Sequence, residues 1–202
     1  KVTFRIISGL EPNTTYYYRV RGLGARDYSA SMSVTTTDKA GFTIAPTFDG
    51  SITSSPRSAA IQAAITKAIA LYQTLFSDPI TVHILFRFSP NDPGGLPIPG
   101  GFVSQSNWVF YIEPWSSVIA QIKADSGSAN DSTADATLPP TQLSDSILPT
   151  SANGRALGLI APPAMFSNGS VGTGGPYDGI VTLNSSQPLR FVRPAAAGNF
   201  DA

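Results

Sequence analysis

The chain has no cysteine, one histidine and only two glutamates, Glu11 and Glu113. Without cysteine it can form neither a disulfide framework nor a thiolate nucleophile or thiolate metal site. Because His83 is the sole histidine, no two-histidine zinc site can be built from this chain alone. A glycosidase carboxylate pair would have to use aspartates, and their spacing suggests none.

Charge is also scarce. Charged residues make up 13% of the 202 residues, with 13 of each sign and zero net charge. Nucleic acid and anionic membranes both need a basic patch, so we expect neither as a partner. No apolar run approaches the roughly 18 residues of a membrane span. The polar residues are mostly Ser, Thr, Asn, Gly and Pro, which together with the missing cysteine favours an exported bacterial protein, extracellular or at the cell surface.

The first 37 residues alternate with the period of β-strands. Val2, Phe4 and Ile6 share one face of a first strand, and Pro12-Asn13 supplies a turn. We predict a second strand over residues 16–21 and a third over residues 31–37. Since the chain starts without a methionine in the middle of such a pattern, we expect it to be a window cut from a longer protein.

The motif Leu-x-Pro-x-Thr-x-Tyr at residues 10–16, followed by the Tyr/Arg/Val alternation, resembles the end of a fibronectin type III domain. The resemblance implies a partial immunoglobulin-like β-sandwich over residues 1–37, in which Tyr16 forms the structural tyrosine corner. Tyr16 and Tyr18 are then core or corner residues rather than a binding platform. A partial sandwich should leave the apolar face of its strands exposed.

Residues 38–47 read as a linker passing into a first strand over residues 42–48. Ser54 as N-cap and Pro56 at the first turn predict a helix of about five turns that ends at Asp78-Pro79. Its apolar residues recur at three- and four-residue spacing and predict one stripe facing a core. The stripe comprises Ile61, Ala64, Ile65, Ala68, Ile69, Tyr72, Leu75 and Phe76.

Residues 80–88 are apolar on nearly both faces, which predicts a central strand covered by that helix. The rest of the chain predicts shorter elements. These are a loop at 90–101, a strand at 108–112, a helix at 115–123, a loop at 125–149, a strand at 157–160, a loop at 169–176, and a turn at 177–179 leading into an exposed strand that ends at Asn184.

This order of elements resembles the upstream part of a zincin metallopeptidase domain of exported bacterial proteins, here over residues 48–202. The resemblance implies an incomplete α/β (α+β) domain with a peptide substrate. It also implies an edge strand bordering the substrate cleft, formed by Ile180, Val181, Thr182, Leu183 and Asn184. In that family a segment like residues 199–202 leads into a helix with His-Glu-x-x-His, which binds zinc and carries the general base.

That helix is missing from the 202 residues. We therefore predict no catalytic residue, no metal ligand and no cofactor in this chain, and expect zinc only in the full-length parent. The chain itself should lack peptidase activity and stoichiometric zinc.

The other candidates favour structural roles. His83 reads as a core or sheet-face residue of its strand. Asp125, Asp131 and Asp135 do not have the spacing of a calcium loop, and no closing glutamate follows them. Asp178-Gly179 predicts a tight turn. The glycines at 172–175 are not followed by the Lys-Ser/Thr of a phosphate-binding loop, and no serine lies in Gly-x-Ser-x-Gly.

Two alternatives remain open. A non-catalytic adhesion or binding protein would continue with further sandwich repeats. A polysaccharide-degrading enzyme would carry a carboxylate pair elsewhere, with Trp108 and Trp115 as sugar platforms, although core packing explains both tryptophans as well.

Overall fold

The computed structural model describes residues 14–22, 26–36, 41–127, 129–191 and 200–201. They form a mixed α/β structure, which confirms the predicted general class. The strands are β1 (Thr15–Tyr18), β2 (Met32–Thr35), β3 (Thr43–Phe48), β4 (Thr81–Ser89), β5 (Ser104–Trp108), β6 (Glu113–Pro114), β7 (Ser146–Ile147), β8 (Gly179–Asn184), β9 (Leu189–Arg190) and β10 (Phe200–Asp201). The helices are α1 (Gly50–Thr53), α2 (Ser58–Gln73), α3 (Trp115–Asp125), α4 (Ala129–Ala136) and α5 (Ser151–Ala156).

Strands β1 and β2 form an antiparallel hairpin in which Tyr16 pairs with Val34 and Tyr18 with Met32. The two predicted strands are confirmed, each somewhat shorter than expected. Their shared apolar face is exposed, with Tyr18 and Met32 at 42% and Val34 at 50%. The strand predicted from Val2 to Ile6 and the upstream partner expected for the Tyr16 corner both lie outside the described residues.

A four-stranded sheet in the order β3-β4-β8-β5 organises the remainder. Strands β3, β4 and β8 are parallel, and β5 runs antiparallel beside β8. The connection from β3 to β4 passes through α1 and α2, as a parallel pair requires. Strand β4 is interior, which confirms its predicted central position. Among the described helices, none is long and apolar enough to cross a membrane.

Helices α1 and α2 cover one face of this sheet, called the helix face below. Ile61, Ile65 and Ile69 recur every four residues on α2 and are at most 8% exposed, so they form a single buried stripe. They pack with Ile52 of α1 and Phe86 of β4. Burying each of these side chains contributes about 1.5–3 kcal/mol to folding.

The other face of the sheet, called the loop face below, has a second core. Leu85 of β4 and Ile180 of β8 pack there against Val109, Ala164 and Met165. The covering layer is loop rather than helix, and backbone hydrogen bonds hold it together. The Met165 N–H donates to the Tyr177 carbonyl, and the Gly172 N–H donates to the Ala164 carbonyl.

The predicted helix start at Ser54 is wrong. Asp49 caps the separate short helix α1, because its carboxylate accepts from the Ser51 N–H at 2.9 Å. The chain then turns, and α2 begins at Ser58 with no side-chain cap. Leu75 and Phe76 lie beyond the helix end and are 57% and 52% exposed, so the buried stripe is shorter than the sequence pattern suggested.

Three further predictions are wrong. The strand expected at 108–112 lies instead at Ser104–Trp108, where its polar residues concealed it. The loop expected at 125–149 contains α4 and β7. No strand forms at residues 157–160, which make the turn and loop that follow helix α5. Thr150 caps α5 by accepting from the Asn153 N–H, and Gly158 lies just beyond the helix end with a φ of 78°.

Candidate functional site

The residues predicted to border a substrate cleft form an interior strand, so their assignment to an exposed edge is wrong. Strand β8 pairs with β4 on one side and β5 on the other. Ile180 and Thr182 are 0% exposed, and Asn184 is 1% exposed. An extended peptide cannot add to a strand whose neighbours already occupy both edges.

The edge beside β8 belongs to β5. The Val109 N–H donates to the Asp178 carbonyl, and the Asn184 N–H donates to the Val103 carbonyl. Because antiparallel strands alternate inward and outward groups, the odd-numbered residues of this segment face β8. The N–H and C=O groups of Ser104, Ser106 and Trp108 therefore point away from the sheet. Within the described residues, none of these groups makes a hydrogen bond.

A row of polar side chains crosses the loop face next to this edge. Arg87, Thr182 and Gln105 lie in register on β4, β8 and β5. The Arg87 Nε donates to Asp49 Oδ2 at 3.2 Å, so its charge is already paired. Thr182 Oγ1 and Asn107 Oδ1 are buried without a hydrogen-bond partner among the described residues. The row supplies polar contacts but no free carboxylate for acid–base chemistry.

Asp178 is the most thoroughly satisfied charged residue described. It is 5% exposed, and its two oxygens accept from Arg155 at 2.8 and 3.0 Å. The Ser151 hydroxyl and the His83 N–H also donate to this carboxylate, at 2.6 and 2.8 Å. These four bonds fill its acceptor positions. The Asp178-Gly179 dipeptide predicted only a turn, and nothing in the sequence indicated the distant Arg155 as its partner.

The remaining candidates do not come together into a catalytic site. The His83 side chain is exposed near the start of β4, so it belongs to the sheet surface rather than the core. Asp125, Asp131 and Asp135 line one small cavity of about 160 Å³ beside α3 and α4. Among the described residues, no three His, Cys, Asp or Glu side chains are grouped as metal ligands.

The glycine-rich loop and the tryptophans have identifiable surroundings. A Cβ on Gly175 would lie 2.3 Å from the Ala164 carbonyl carbon, so this glycine permits close backbone packing. Trp108 is 56% exposed on β5. Trp115 is half-buried at the start of α3 and lines an open groove of about 640 Å³ together with Pro139 and Pro140.

Comparison with known proteins adds no assignment: no protein-family model, no curated protein and no solved structure matches the chain significantly.

Proposed function

We propose that this chain is the upstream, substrate-aligning part of a secreted bacterial zinc-dependent peptidase with a fibronectin type III accessory module. The single observation that carries the proposal is the free edge of β5. Its outward N–H and C=O groups at Ser104, Ser106 and Trp108 offer an extended peptide a ready partner strand. In this proposal the peptide binds to β5, the antiparallel neighbour of β8, and not to β8 as the sequence predicted.

The arrangement of the sheet also supports the proposal. A helix covers one face of three parallel strands, and the single antiparallel strand lies at the edge. The partly exposed apolar face of the β1–β2 hairpin is what a partial fibronectin-type sandwich would present.

The residues of this chain do not fit a zinc site. His83 is the sole histidine, and no grouped ligands accompany it among the described residues. In this proposal the metal ligands and the general base come from sequence outside these 202 residues. The contribution of the chain is to bind and align the peptide. Alone it should neither hydrolyse peptides nor hold zinc at a defined site, and stoichiometric zinc in the purified chain would contradict this.

The first test is the coding sequence that follows Ala202. A His-Glu-x-x-His motif on an amphipathic helix within about one domain length supports the peptidase. An uninterrupted continuation of sandwich repeats without this motif would replace the peptidase with the adhesion protein. A downstream carboxylate pair with an aromatic cleft would favour the polysaccharide-degrading enzyme.

The second test measures peptide binding by the chain itself. A short peptide of alternating Val and Thr is titrated calorimetrically against the wild-type protein and against Ser106→Pro, which removes one outward N–H while leaving the ladder to β8 intact. We expect binding by the wild type and a loss of about tenfold or more in the variant, equivalent to one or two hydrogen bonds. Ser106→Ala, which keeps the N–H, is the matched control and should bind like the wild type.

A further inference from the structure

The free edge continues past β5. The Ser151 N–H donates to the Val109 carbonyl, and the Tyr111 N–H donates to the Pro149 carbonyl. Residues 109 and 111 thus pair on the same side as β8. The backbone groups of Phe110 and Ile112 therefore point outward together with those of the β5 edge. Among the described residues, these outward groups of Phe110 and Ile112 have no hydrogen-bond partner either.

The strand that forms this edge carries none of the residues that usually protect an edge from pairing. Residues 104–112 contain no charged residue, no proline and no glycine, although edge strands are normally blunted by such residues. From Trp108 onward the side chains on the helix face of this segment are large and exposed, with Trp108 at 56%, Phe110 at 54% and Ile112 at 73%. Leu148 lies opposite Ile112 in the register of the pairing and is 57% exposed. We call these four side chains the apolar strip.

We propose that a second copy of this chain pairs with the apolar strip, through an antiparallel strand contact centred on Phe110. The pattern is self-complementary about that residue. Antiparallel pairing about a two-fold axis at Phe110 sets Phe110 against Phe110 of the second copy and Trp108 against its Ile112, in both directions. The cross-strand pairs from Trp108 to Ile112 are then all apolar, and such pairs stabilise a sheet.

The backbone fits the same register. Trp108, Phe110 and Ile112 all direct their N–H and C=O groups outward, so each falls at a hydrogen-bonded position of the new pair. The three pairs would form about six backbone hydrogen bonds. Pairing ends at Pro114, which has no N–H to donate and would face Ser106 of the second copy. The contact is small, so we expect a dissociation constant in the micromolar range.

The test is the mass of the chain in sedimentation equilibrium, from low micromolar to near-millimolar concentration, without peptide or zinc. We expect a shift from 21.2 kDa toward twice that mass. Phe110→Lys sets two like charges against each other at the axis and should weaken the dimer about tenfold or more. Ile160→Lys is the matched control, since Ile160 is 91% exposed outside the strip, and it should dimerise like the wild type.

A charge swap tests the register. Phe110→Glu alone should weaken the dimer as Phe110→Lys does. An equimolar mixture of the two variants should associate more tightly than either alone, as a heterodimer, because only a contact that joins position 110 to itself brings the opposite charges together. A mixture that stays monomeric overturns the Phe110-centred register, and a series of higher oligomers overturns the two-fold contact.

If the wild-type chain stays monomeric over the whole concentration range, the proposal that a second copy occupies this edge is wrong. If that monomer still binds the alternating Val/Thr peptide, the edge belongs to extended peptides alone. An extended peptide and a second copy would compete for the outward groups of Trp108, so association is measured without peptide. Its failure leaves the proposed peptidase untouched, and absence of a zinc-binding motif downstream leaves the dimer untouched.

Discussion

The two faces of the four-stranded sheet bury their side chains in different ways. On the helix face, Ile61, Ile65 and Ile69 of α2 meet Ile52 and Phe86, and the core is entirely apolar. On the loop face, an apolar cluster around Ile180 adjoins a buried ion pair between Asp178 and Arg155. It also adjoins a polar row in which the Thr182 hydroxyl has no hydrogen-bond partner among the described residues.

The difference follows from what covers each face. A helix satisfies its own backbone groups, so α2 can present only hydrocarbon to the sheet. A loop cannot, so the polypeptide that covers the other face needs side chains and neighbouring strands as hydrogen-bond partners. Arg155 illustrates this, because its guanidinium donates to the carbonyls of Ala161 and Thr81 as well as to Asp178. The stability of the helix face therefore depends on how closely its apolar side chains pack. The stability of the loop face depends on whether every buried polar group has a hydrogen-bond partner.

The largest expected effect comes from breaking the pairing on the loop face. Asp178→Ala leaves Arg155, the Ser151 hydroxyl and the His83 N–H without their common acceptor. We expect the free energy of unfolding, measured by urea denaturation, to fall by about 3–5 kcal/mol.

Asp49→Ala is the control for this prediction. Asp49 also pairs with an arginine, but its side chain is 27% exposed against 4% for Asp178. Its loss should cost only about 1–2 kcal/mol, mainly through the cap of α1. Equal losses in the two variants would contradict the view that burial makes the Asp178 pair decisive.

The second-largest loss of stability is expected from a substitution that creates a cavity on the helix face. Ile61 is 0% exposed, and Ile61→Ala should lower the free energy of unfolding by about 2–5 kcal/mol, because the packed helix cannot collapse into the space. Leu75→Ala provides the comparison from the same predicted stripe. Since Leu75 is 57% exposed, its truncation should change stability by less than about 0.5 kcal/mol. A larger loss would mean that Leu75 is covered in solution.

The smallest effect tests the unpartnered hydroxyl. Thr182→Val replaces a buried, unbonded Oγ1 with a methyl group of similar size. We expect stability to stay level or rise by about 1 kcal/mol, because a desolvated hydroxyl without a partner costs free energy. Thr150→Val, which removes the capping oxygen of α5, should instead lower stability by about 1 kcal/mol. Thermal unfolding of both variants gives the comparison, and a destabilised Thr182→Val would indicate a partner for that hydroxyl.

Elements with a strong repeating pattern were predicted well. The nine residues of β4 are apolar on both faces, and the Ile61, Ile65, Ile69 spacing is unmistakably helical. Strand β5 was misplaced by four residues, because Ser104 to Asn107 carry no apolar alternation. An edge strand with a solvated face does not need such alternation. Helix α5 was missed because its capping signal, Thr150 with Asn153, is local and its six residues are too few for a periodicity.

The candidate site was predicted less well than the fold. Residues 180–184 were predicted to form an edge strand, yet the tertiary structure inserts this strand between β4 and β5. Strand order cannot be read from a strand's own sequence, since it depends on which elements pair across nearly a hundred intervening residues. The edge of the sheet is therefore formed by β5, whose residues are mostly polar, and not by β8, whose apolar residues suggested a strand.

The sequence by itself predicted the general α/β class of the fold and the apolar pattern of its main helix and central strand. The absence of cysteine excluded disulfides, the single histidine excluded a two-histidine zinc site within these residues, and periodicity located the stripe of α2 and the central strand β4. Those properties depend on composition and on neighbours along the chain. Only the tertiary structure decided that Asp178 meets Arg155 and that the outward backbone groups from Ser104 to Ile112 have no hydrogen-bond partner among the residues that the structure describes. Both features depend on residues that are far apart in the sequence, because only folding determines which group lies beside a charge or beside the edge of a sheet.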